Sequence, residues 1–354
     1  MPTQPWKSGA SSRFRRSARW AVAILVSGIA AWLGLRQVRW SAVATVLSRA
    51  DVPLAALGMA TVLATIGAKA VRWHLLLRQC SVGISGWRMV RVLVVGQLGN
   101  SFLPMRLGDL ARAALVAPQT DGGAAQALGT IAAEKVLDGV AGMLIILVIA
   151  TAAHLPAWLQ TPAVVLAVVT ALLLALLVLA LGRPRLLASA YAALSRRLPS
   201  GLGRTPPSRK NWGQGFLSMF SRFGRGMTVL GSPSVVLSGL ALSGVVWGLG
   251  AATNYVLLRA CDADVPLWAN LLVLATVYIA TFLPAVPAQI GVFEYACILA
   301  LGAGGLPADA ALAFGLLLHV EVYAPPAVLG PIFTAVEGLR WSSLKAGDQM
   351  NRTG

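Results

Sequence analysis

The sequence predicts an all-α, polytopic membrane helix bundle, and three observations carry that prediction. Hydrophobic residues make up 57% of the 354-residue chain and charged residues only 12%, whereas soluble proteins carry about 25% charged residues. Apolar windows of about 20 residues, the length that crosses a bilayer, recur along the whole chain. Tryptophans lie near the ends of several windows, as in the interfacial belts of membrane proteins: Trp20, Trp40, Trp73, Trp158 and Trp341.

Six stretches are long and apolar enough to be full membrane spans. They cover roughly 19–37, 53–73, 130–152, 161–182, 234–258 and 308–336. The first follows a basic segment, as a signal peptide does, but no small-residue cleavage site follows it. We therefore expect a retained first span.

The net charge of +17 comes mainly from loops and tails. The segment 183–230 holds nine Lys or Arg and no acid, and its Pro, Gly and Ser content predicts a flexible connector. This distribution follows the positive-inside rule and argues against nucleic-acid binding. Cytoplasmic positions are expected for the regions that carry the excess: tail 1–18, the segment with Arg72, Arg78, Arg88 and Arg91, loop 183–233, and tail 339–354.

These loops divide the chain into two membrane halves, 19–182 and 234–338. The short loops 153–160 and 260–267 have no basic excess and fit the outside. Only Arg39 and Arg49, in the segment 38–52, argue weakly against this orientation. The scheme puts both termini in the cytoplasm of a multi-pass protein of the inner (plasma) membrane.

Parity predicts a re-entrant segment in each half. The chain is cytoplasmic near Arg88 and again near Arg183, with two spans between, so 90–115 must cross an even number of times. It is too short for two full helices. A hairpin that breaks near "GNSFLP" is the economical solution, and the same count gives a hairpin of opposite orientation at 267–303. Irregular backbone at membrane depth requires a protein-lined or wet cavity.

The two halves also resemble each other. "SFLPMRLGD" and "TFLPAVPAQIGVFE" each run from FLP through a glycine to an acid. A span with further acid follows each one, with Glu134 and Asp138 in the first half and Glu321 in the second. Interrupted apolar segments at matching positions predict an inverted repeat with a binding site between its halves.

The charged residues in these segments are the candidate binding residues, because a charge inside a membrane is costly unless it is paired or faces water. Asp109 and Arg112 are three residues apart and are suited to neutralise each other. Glu134 and Asp138 share a helical face and require a cation, for which Arg106 is the sequence's candidate. Purely structural ion pairing remains the alternative to substrate contact.

Prolines mark the breaks. Pro104, Pro284 and Pro287 each end or kink a helix and leave backbone groups free. A helix that restarts near Leu107 would direct its N–H groups into the break, where they favour a phosphate held by Arg106 and Arg112. The carboxylates favour an amine or sugar further out.

Other residues carry weaker signals. His319 lies beside Glu321, and a packing pair is favoured over a proton relay. Asn100 is a hydrogen-bonding candidate at the first break. The three scattered cysteines form neither a metal-ligand pattern nor a disulfide framework. No P-loop, metal site or nucleophile elbow is found, so we expect neither an enzyme nor a cofactor or metal.

The motifs resemble the lysylphosphatidylglycerol synthase transmembrane domain family of flippase-like membrane proteins. "GNSFLPMRLGDLARA", "AAEKVLD" and "FLPAVPAQIGVFE" carry the resemblance, which covers roughly 18 to 338. The matching positions are Asn100, Pro104, Arg106, Gly108, Asp109, Glu134, Asp138, Pro287, Gly291 and Glu294. Lys135 and Asp109 stand where arginine and glutamate are commoner, and both keep the charge.

The resemblance implies translocation of a lipid between leaflets through a cavity between two opposed re-entrant segments. Only a short segment follows residue 340, so we expect this chain not to make aminoacyl lipid itself. The expected ligands are anionic or aminoacylated phospholipids, or isoprenoid-linked or hopanoid lipids. A second copy of the chain or an envelope-biosynthesis enzyme is the expected protein partner. The alternatives are a non-transporting partner or regulator of a lipid- or glycan-modifying enzyme, and an intramembrane transferase.

Overall fold

The fold was analysed in a computed structural model, which describes residues 9–36, 38–80, 82–103, 107–152, 156–182, 218–219 and 221–338. Every regular element in these ranges is helical, which confirms the all-α prediction there. The longer helices are α1 (Gly9–Leu35), α2 (Trp40–Ser48), α3 (Val52–Arg78), α4 (Gly86–Phe102), α5 (Leu107–Val116), α6 (Gly123–Ala152), α7 (Ala157–Gly182), α8 (Pro233–Ala260), α9 (Leu267–Ala280), α10 (Val292–Ala303) and α11 (Ala308–Val336).

Helices cover all six predicted spans. Three described helices, α3, α8 and α11, are long and apolar enough to cross a membrane. A fourth span results if Ala21–Leu35 and Trp40–Ser48, which meet at 84°, form one broken helix pair. Multi-pass membrane character is therefore supported, whereas the count of six spans stays a prediction.

The first predicted break lies between α4 and α5. Ser85 caps α4 by accepting a hydrogen bond from the Arg88 backbone N–H at 3.4 Å, and α4 ends at Phe102. The two helices pack antiparallel, since Asn100 lies against Gly108 whereas Gly96, one turn earlier, lies against Arg112. A Cβ on Gly108 would overlap the Gly96 carbonyl oxygen, so only glycine allows this approach.

The second predicted break lies between α9 and α10. The far ends of these helices meet, because a Cβ on Gly304 would stand 2.6 Å from the Ala269 Cβ. The segment between them contains a short 3₁₀ turn, Pro287–Gln289, with positive φ angles of 58° at Ala288 and 59° at Gln289. Both breaks therefore occur where proline and glycine predicted them, while re-entry into a membrane stays a prediction.

The chain forms two compact units, each with its own apolar core. The first contains residues 1–62, 145–159 and 250–324, and the second contains 63–144, 160–249 and 325–354. The α9–α10 hairpin belongs to the first unit and the α4–α5 hairpin to the second. Both units draw on both sequence halves. The division into halves 19–182 and 234–338 describes membrane topology and stays a prediction.

Two segments expected to be loops contain helix. Within 38–52 the chain forms α2, and the Arg39 guanidinium donates to Asp309 Oδ2 at 2.8 Å. Most of loop 183–233 lies outside the described residues, but 221–227 is helical. There Gly226 and Gly129 of α6 approach so closely that a Cβ on either would overlap backbone of the other segment, so this end of the loop is packed.

In the second unit, one carboxylate joins the start of α4 to the end of α11. Glu337 Oε2 accepts a hydrogen bond from Arg88 Nε at 2.9 Å, and Glu337 Oε1 accepts one from Arg91 Nε at 2.8 Å. Trp87 and Phe333 meet edge-on beside them at 6.0 Å. Burial would raise the pKa of Glu337, but the two arginines outweigh it and hold that pKa below its usual range.

We expect Gly108→Ala to destabilise the second unit by about 1–3 kcal/mol, because the added methyl group forces the α4–α5 hairpin apart. Gly67→Ala in α3 is the matched control, since a Cβ there meets nothing within 4 Å. It should be neutral or slightly stabilising. Thermal unfolding of the purified protein in detergent measures both. Equal melting temperatures for the two variants would contradict the close packing described.

The Glu337 contacts should make stability depend on acid pH. A lowered folded-state pKa means that the stabilisation is full above the unfolded value of about 4.3 and is lost as pH falls through the folded value. Wild type should therefore melt above Glu337→Gln at neutral pH, and the gap should close in acid. A gap that stays constant down to the acid range would show that the arginines do not act through the ionised carboxylate.

Candidate functional site

Hydrogen bonds join the two helix ends at the first break, between α4 and α5. Asn100, in the last turn of α4, donates from Nδ2 to Asp109 Oδ1 at 3.0 Å and accepts the Asp109 backbone N–H at 3.2 Å. Asp109 is the third residue of α5, where a carboxylate interacts favourably with the positive helix end. The predicted residues Asn100, Gly108 and Asp109 therefore form one local structure. Pro104 and Arg106 lie outside the described residues.

Arg112 extends from α5 into the interior. Its NH2 group donates to Glu134 Oε2 of α6 at 2.7 Å, and its NH1 lies 3.6 Å from Asp109 Oδ1. Its guanidinium carbon lies 4.0 Å from the ring centroid of Trp73, which adds a cation–π contact. The Trp73 indole N–H donates to Thr130 Oγ1 at 3.1 Å. The guanidinium is thus held by Trp73 at one face and by carboxylates at its NH1 and NH2 groups.

Arg72 of α3 is fully buried and completes the network. Its NH1 donates to Asp138 Oδ1 at 2.6 Å and to Ser243 Oγ at 2.8 Å, and its NH2 lies 3.2 Å from Asp138 Oδ2. The same NH2 also donates to Glu134 Oε1 at 3.1 Å. Glu134 therefore has one oxygen on each of two arginines, which ties α3, α5 and α6 together.

The sequence predicted that Glu134 and Asp138 need a cation, and the structure supplies Arg72 and Arg112. Arg72 belongs to the segment expected to be cytoplasmic, and the structure shows that it is buried in the protein within α3, which continues to Arg78. The available signal was position, because Arg72 lies within an unbroken helical pattern that continues six residues further, to Arg78, and stands beside an aromatic residue. The predicted contact between Arg106 and Glu134 stays a prediction.

The described residues of this network carry more positive than negative charge. Lys69, three residues before Arg72 in α3, and Lys135, next to Glu134 in α6, are both half-buried beside it. Neither lysine forms an ion pair with the described residues. The Nε atoms of Arg72 and Arg112 are buried and also without a hydrogen-bond partner there. We call this set the buried ion cluster: Lys69, Arg72, Asp109, Arg112, Glu134, Lys135 and Asp138.

The cluster therefore has four cations and three carboxylates, and its two buried polar atoms without a hydrogen-bond partner among the described residues are N–H donors. A buried donor without a partner costs about 1–3 kcal/mol. The chemical group that would complete the set is an anion with accessible oxygens. The cluster thus has an excess of cations and donors over carboxylates and acceptors. Ion pairs that only stabilise the fold do not require such an excess.

The second break, in the first unit, is built differently. Glu294 is the third residue of α10, the position that Asp109 has in α5. Its Oε2 accepts the Gly291 backbone N–H at 2.7 Å, and its Oε1 lies 2.6 Å from His319 Nδ1 of α11. Gly291 has φ 87°, and a Cβ there would stand 2.7 Å from the Ser27 carbonyl oxygen. Only glycine fits.

The remaining predicted residues of this half lie apart from that contact. Pro284 and Pro287 are exposed in the segment between α9 and α10. Glu321 is 4% exposed and its Oε2 has no hydrogen-bond partner among the described residues. The predicted pairing of His319 with Glu321 is replaced by a pairing with Glu294, because positions two apart on a helix point to opposite sides. His319 also packs against Phe293 and Tyr323.

The motif segments thus form compact polar structures at two helix breaks in an all-helical, apolar chain. Residues 20–330 match the family described as the lysylphosphatidylglycerol synthase TM region. The chain belongs to this family. Comparison with curated proteins finds no match. Membership of the lysylphosphatidylglycerol synthase TM region family makes this a membrane protein related to lipid synthesis or transport.

Removing one partner of the buried Arg72–Asp138 pair should cost about 3–5 kcal/mol, because it leaves an uncompensated buried charge. We expect Arg72→Gln and Asp138→Asn each to lower stability, and the double variant to lose less than the sum of the singles. The pair Arg259–Asp264, exposed and 3.8 Å apart, is the matched control, worth about 0–1 kcal/mol. Unfolding in detergent measures the stability of the two single variants and of the double variant. If the stability losses at Arg72 and Asp138 were additive, they would contradict the ion pair.

Proposed function

We propose that the protein moves a phosphate-bearing envelope lipid between membrane leaflets, as a flippase or scramblase that does not hydrolyse ATP. The family supplies the membrane and lipid context. The substrate class is inferred from the buried ion cluster. The headgroup would enter the polar region at the α4–α5 break while the lipid tails remain in the bilayer.

The single observation that carries this proposal is the unbalanced charge of the cluster. Its described residues have one positive charge in excess, and the two buried polar atoms among them that have no hydrogen-bond partner there are both donors. A phosphodiester carries one negative charge and two free oxygens, so it supplies the missing charge and the missing acceptors. A neutral headgroup would leave the excess charge in place, which is costly inside a membrane.

The lysines are the groups best placed to hold this phosphate. Glu134 and Asp138 already occupy the guanidinium ends of Arg72 and Arg112. Lys69 and Lys135 form no ion pair with the described residues, and lysine is a common phosphate ligand that acts as a point charge. The arginines then serve mainly to keep three helices in register around the site, with their Nε–H groups as additional donors.

The carboxylates of the cluster have a different role from the lysines. Glu134 and Asp138 neutralise the arginines, so that the protein can bury several cations and still release a monoanionic lipid. A cluster without these acids would hold phosphate too tightly for repeated transport. Recognition of an amine or sugar beyond the phosphate stays a prediction from the sequence.

We expect Lys69→Gln to reduce the exchange of labelled phosphatidylglycerol between leaflets of reconstituted liposomes by about tenfold or more. The reason is that a hydrogen bond to a charged group contributes about 1.5–3 kcal/mol. Arg259→Gln, which removes an exposed cation, is the matched control and should exchange lipid at the wild-type rate. A labelled diacylglycerol, which lacks the phosphate, should not be affected by Lys69→Gln.

Two results would contradict the proposal. Wild-type rates for Lys69→Gln with every phospholipid would remove phosphate recognition from this cluster. Exchange no faster than in protein-free liposomes, with the protein folded, would reject transport itself. The non-transporting role as partner of a lipid- or glycan-modifying enzyme would then be the better hypothesis.

A further inference from the structure

Glu321 of α11 is a buried carboxylate that no described residue neutralises. It is 4% exposed, and its Oε2 accepts no hydrogen bond from the described residues. The other two poorly exposed acids described in the first unit are both satisfied: Glu294 by Gly291 and His319, and Asp309 by Arg39. Among them Glu321 alone has a buried oxygen without a partner.

Glu321 Oε2 lies beside the backbone of α3 and an apolar side chain of α8. A Cβ on Gly58 of α3 would stand 2.6 Å from Glu321 Oε2 and equally close to Leu257 Cδ2 of α8. The acid is therefore held between α3 and α8, with glycine making the room for it. An ionised carboxylate in such a setting is strongly disfavoured unless a ligand compensates it.

The neighbouring helices offer no opposite charge. The positions on α3 within a turn of Gly58 carry none, and the same-face positions of α8 around Leu257 carry none. On α11 itself His319 is engaged by Glu294. The polar or titratable groups nearest in sequence to these contacts are Thr61, Thr253, Asn254, Cys261 and Tyr323.

The backbone beside Glu321 adds further acceptors. Pro325 lies four residues later in α11 and has no N–H, so the Glu321 carbonyl has no helical donor. Pro326 removes the donor of the Val322 carbonyl in the same way. Three acceptor oxygens thus occur within one turn, in contrast to the donor excess of the buried ion cluster. A protonated Glu321 carboxyl needs no compensating charge, whereas the ionised form does.

We infer that Glu321 is a proton-binding site that couples lipid transport to a proton gradient. This inference rests on the proposed function for its role in transport, although proton binding itself can be tested alone. The step is a simple protonation: Glu321 Oε2 gains a proton, its charge changes from −1 to 0, and the neutral acid donates to a neighbouring carbonyl oxygen or water. Release of the proton restores the charge, and no other bond changes.

Infrared difference spectroscopy tests the proton site without any transport. Titration of the wild-type protein in bilayers should show the C=O band of a buried carboxylic acid appearing and disappearing with pH. Glu321→Gln should remove that band, whereas Asp264→Asn, which alters an exposed loop acid, should leave it. Glu321→Asp keeps the acid and should keep a shifted band. Identical difference spectra for wild type and Glu321→Gln would overturn the inference.

Liposome exchange then tests coupling. A gradient of about one pH unit, with one proton moved per lipid, should shift the steady-state lipid distribution of wild type by up to about tenfold. Glu321→Gln should no longer respond to the gradient, and Asp264→Asn should respond as wild type does. A response to a sodium gradient instead, or a pH response retained in Glu321→Gln, would overturn the coupling. No exchange by wild type would reject the proposed function and leave the infrared result standing.

Discussion

The second unit depends on the contact of Glu134 with two arginines. Its two carboxylate oxygens bind Arg72 of α3 and Arg112 of α5, and its own backbone belongs to α6. Each of these charges would be costly alone in an apolar interior, so none is stable without the others. The requirement fixes where α5 lies against α6, and with it the position of the α4–α5 break. The close contact of Gly108 with α4 also fixes the position of this break, by packing.

At both helix breaks an acid near the start of the second helix is stabilised, but its partners differ. In each, a glycine precedes the restarted helix or lies in its first turn, and an acid is its third residue, Asp109 in α5 and Glu294 in α10. Asp109 is held by Asn100 and lies near an arginine, whereas Glu294 pairs with a histidine. An inverted repeat whose halves have diverged in charge would show such equivalent positions with different partners, and that repeat stays a prediction. The excess of donors in the second unit and of acceptors near Glu321 in the first fits a division between anion binding and proton binding.

Much of this architecture could be predicted because prolines, glycines and apolar periodicity act locally. The breaks near residues 103 and 284, the helices over all six spans, and the need of Glu134 and Asp138 for a cation were predicted from such signals. The partner of those acids was not, since ion pairing depends on which helices become neighbours. Arg72 stands near the end of the predicted span 53–73, where the basic residues that follow favour a cytoplasmic position. His319 was placed with Glu321 by proximity in sequence, but α10 provides a closer carboxylate. Lys69 gave no signal, because its importance depends on the partners that Arg72 and Arg112 take.

The central claim is that the excess charge of the buried ion cluster is balanced by a lipid phosphate. Solid-state NMR can test this directly, because the chain has only five lysines. With Lys7, Lys210 and Lys345 replaced by arginine, only Lys69 and Lys135 remain to carry a ¹⁵N label. In phosphatidylglycerol bilayers, the account predicts that ³¹P of the lipid dephases the Lys69 Nζ signal. Lysine signals that persist without any dephasing by lipid phosphorus would contradict it.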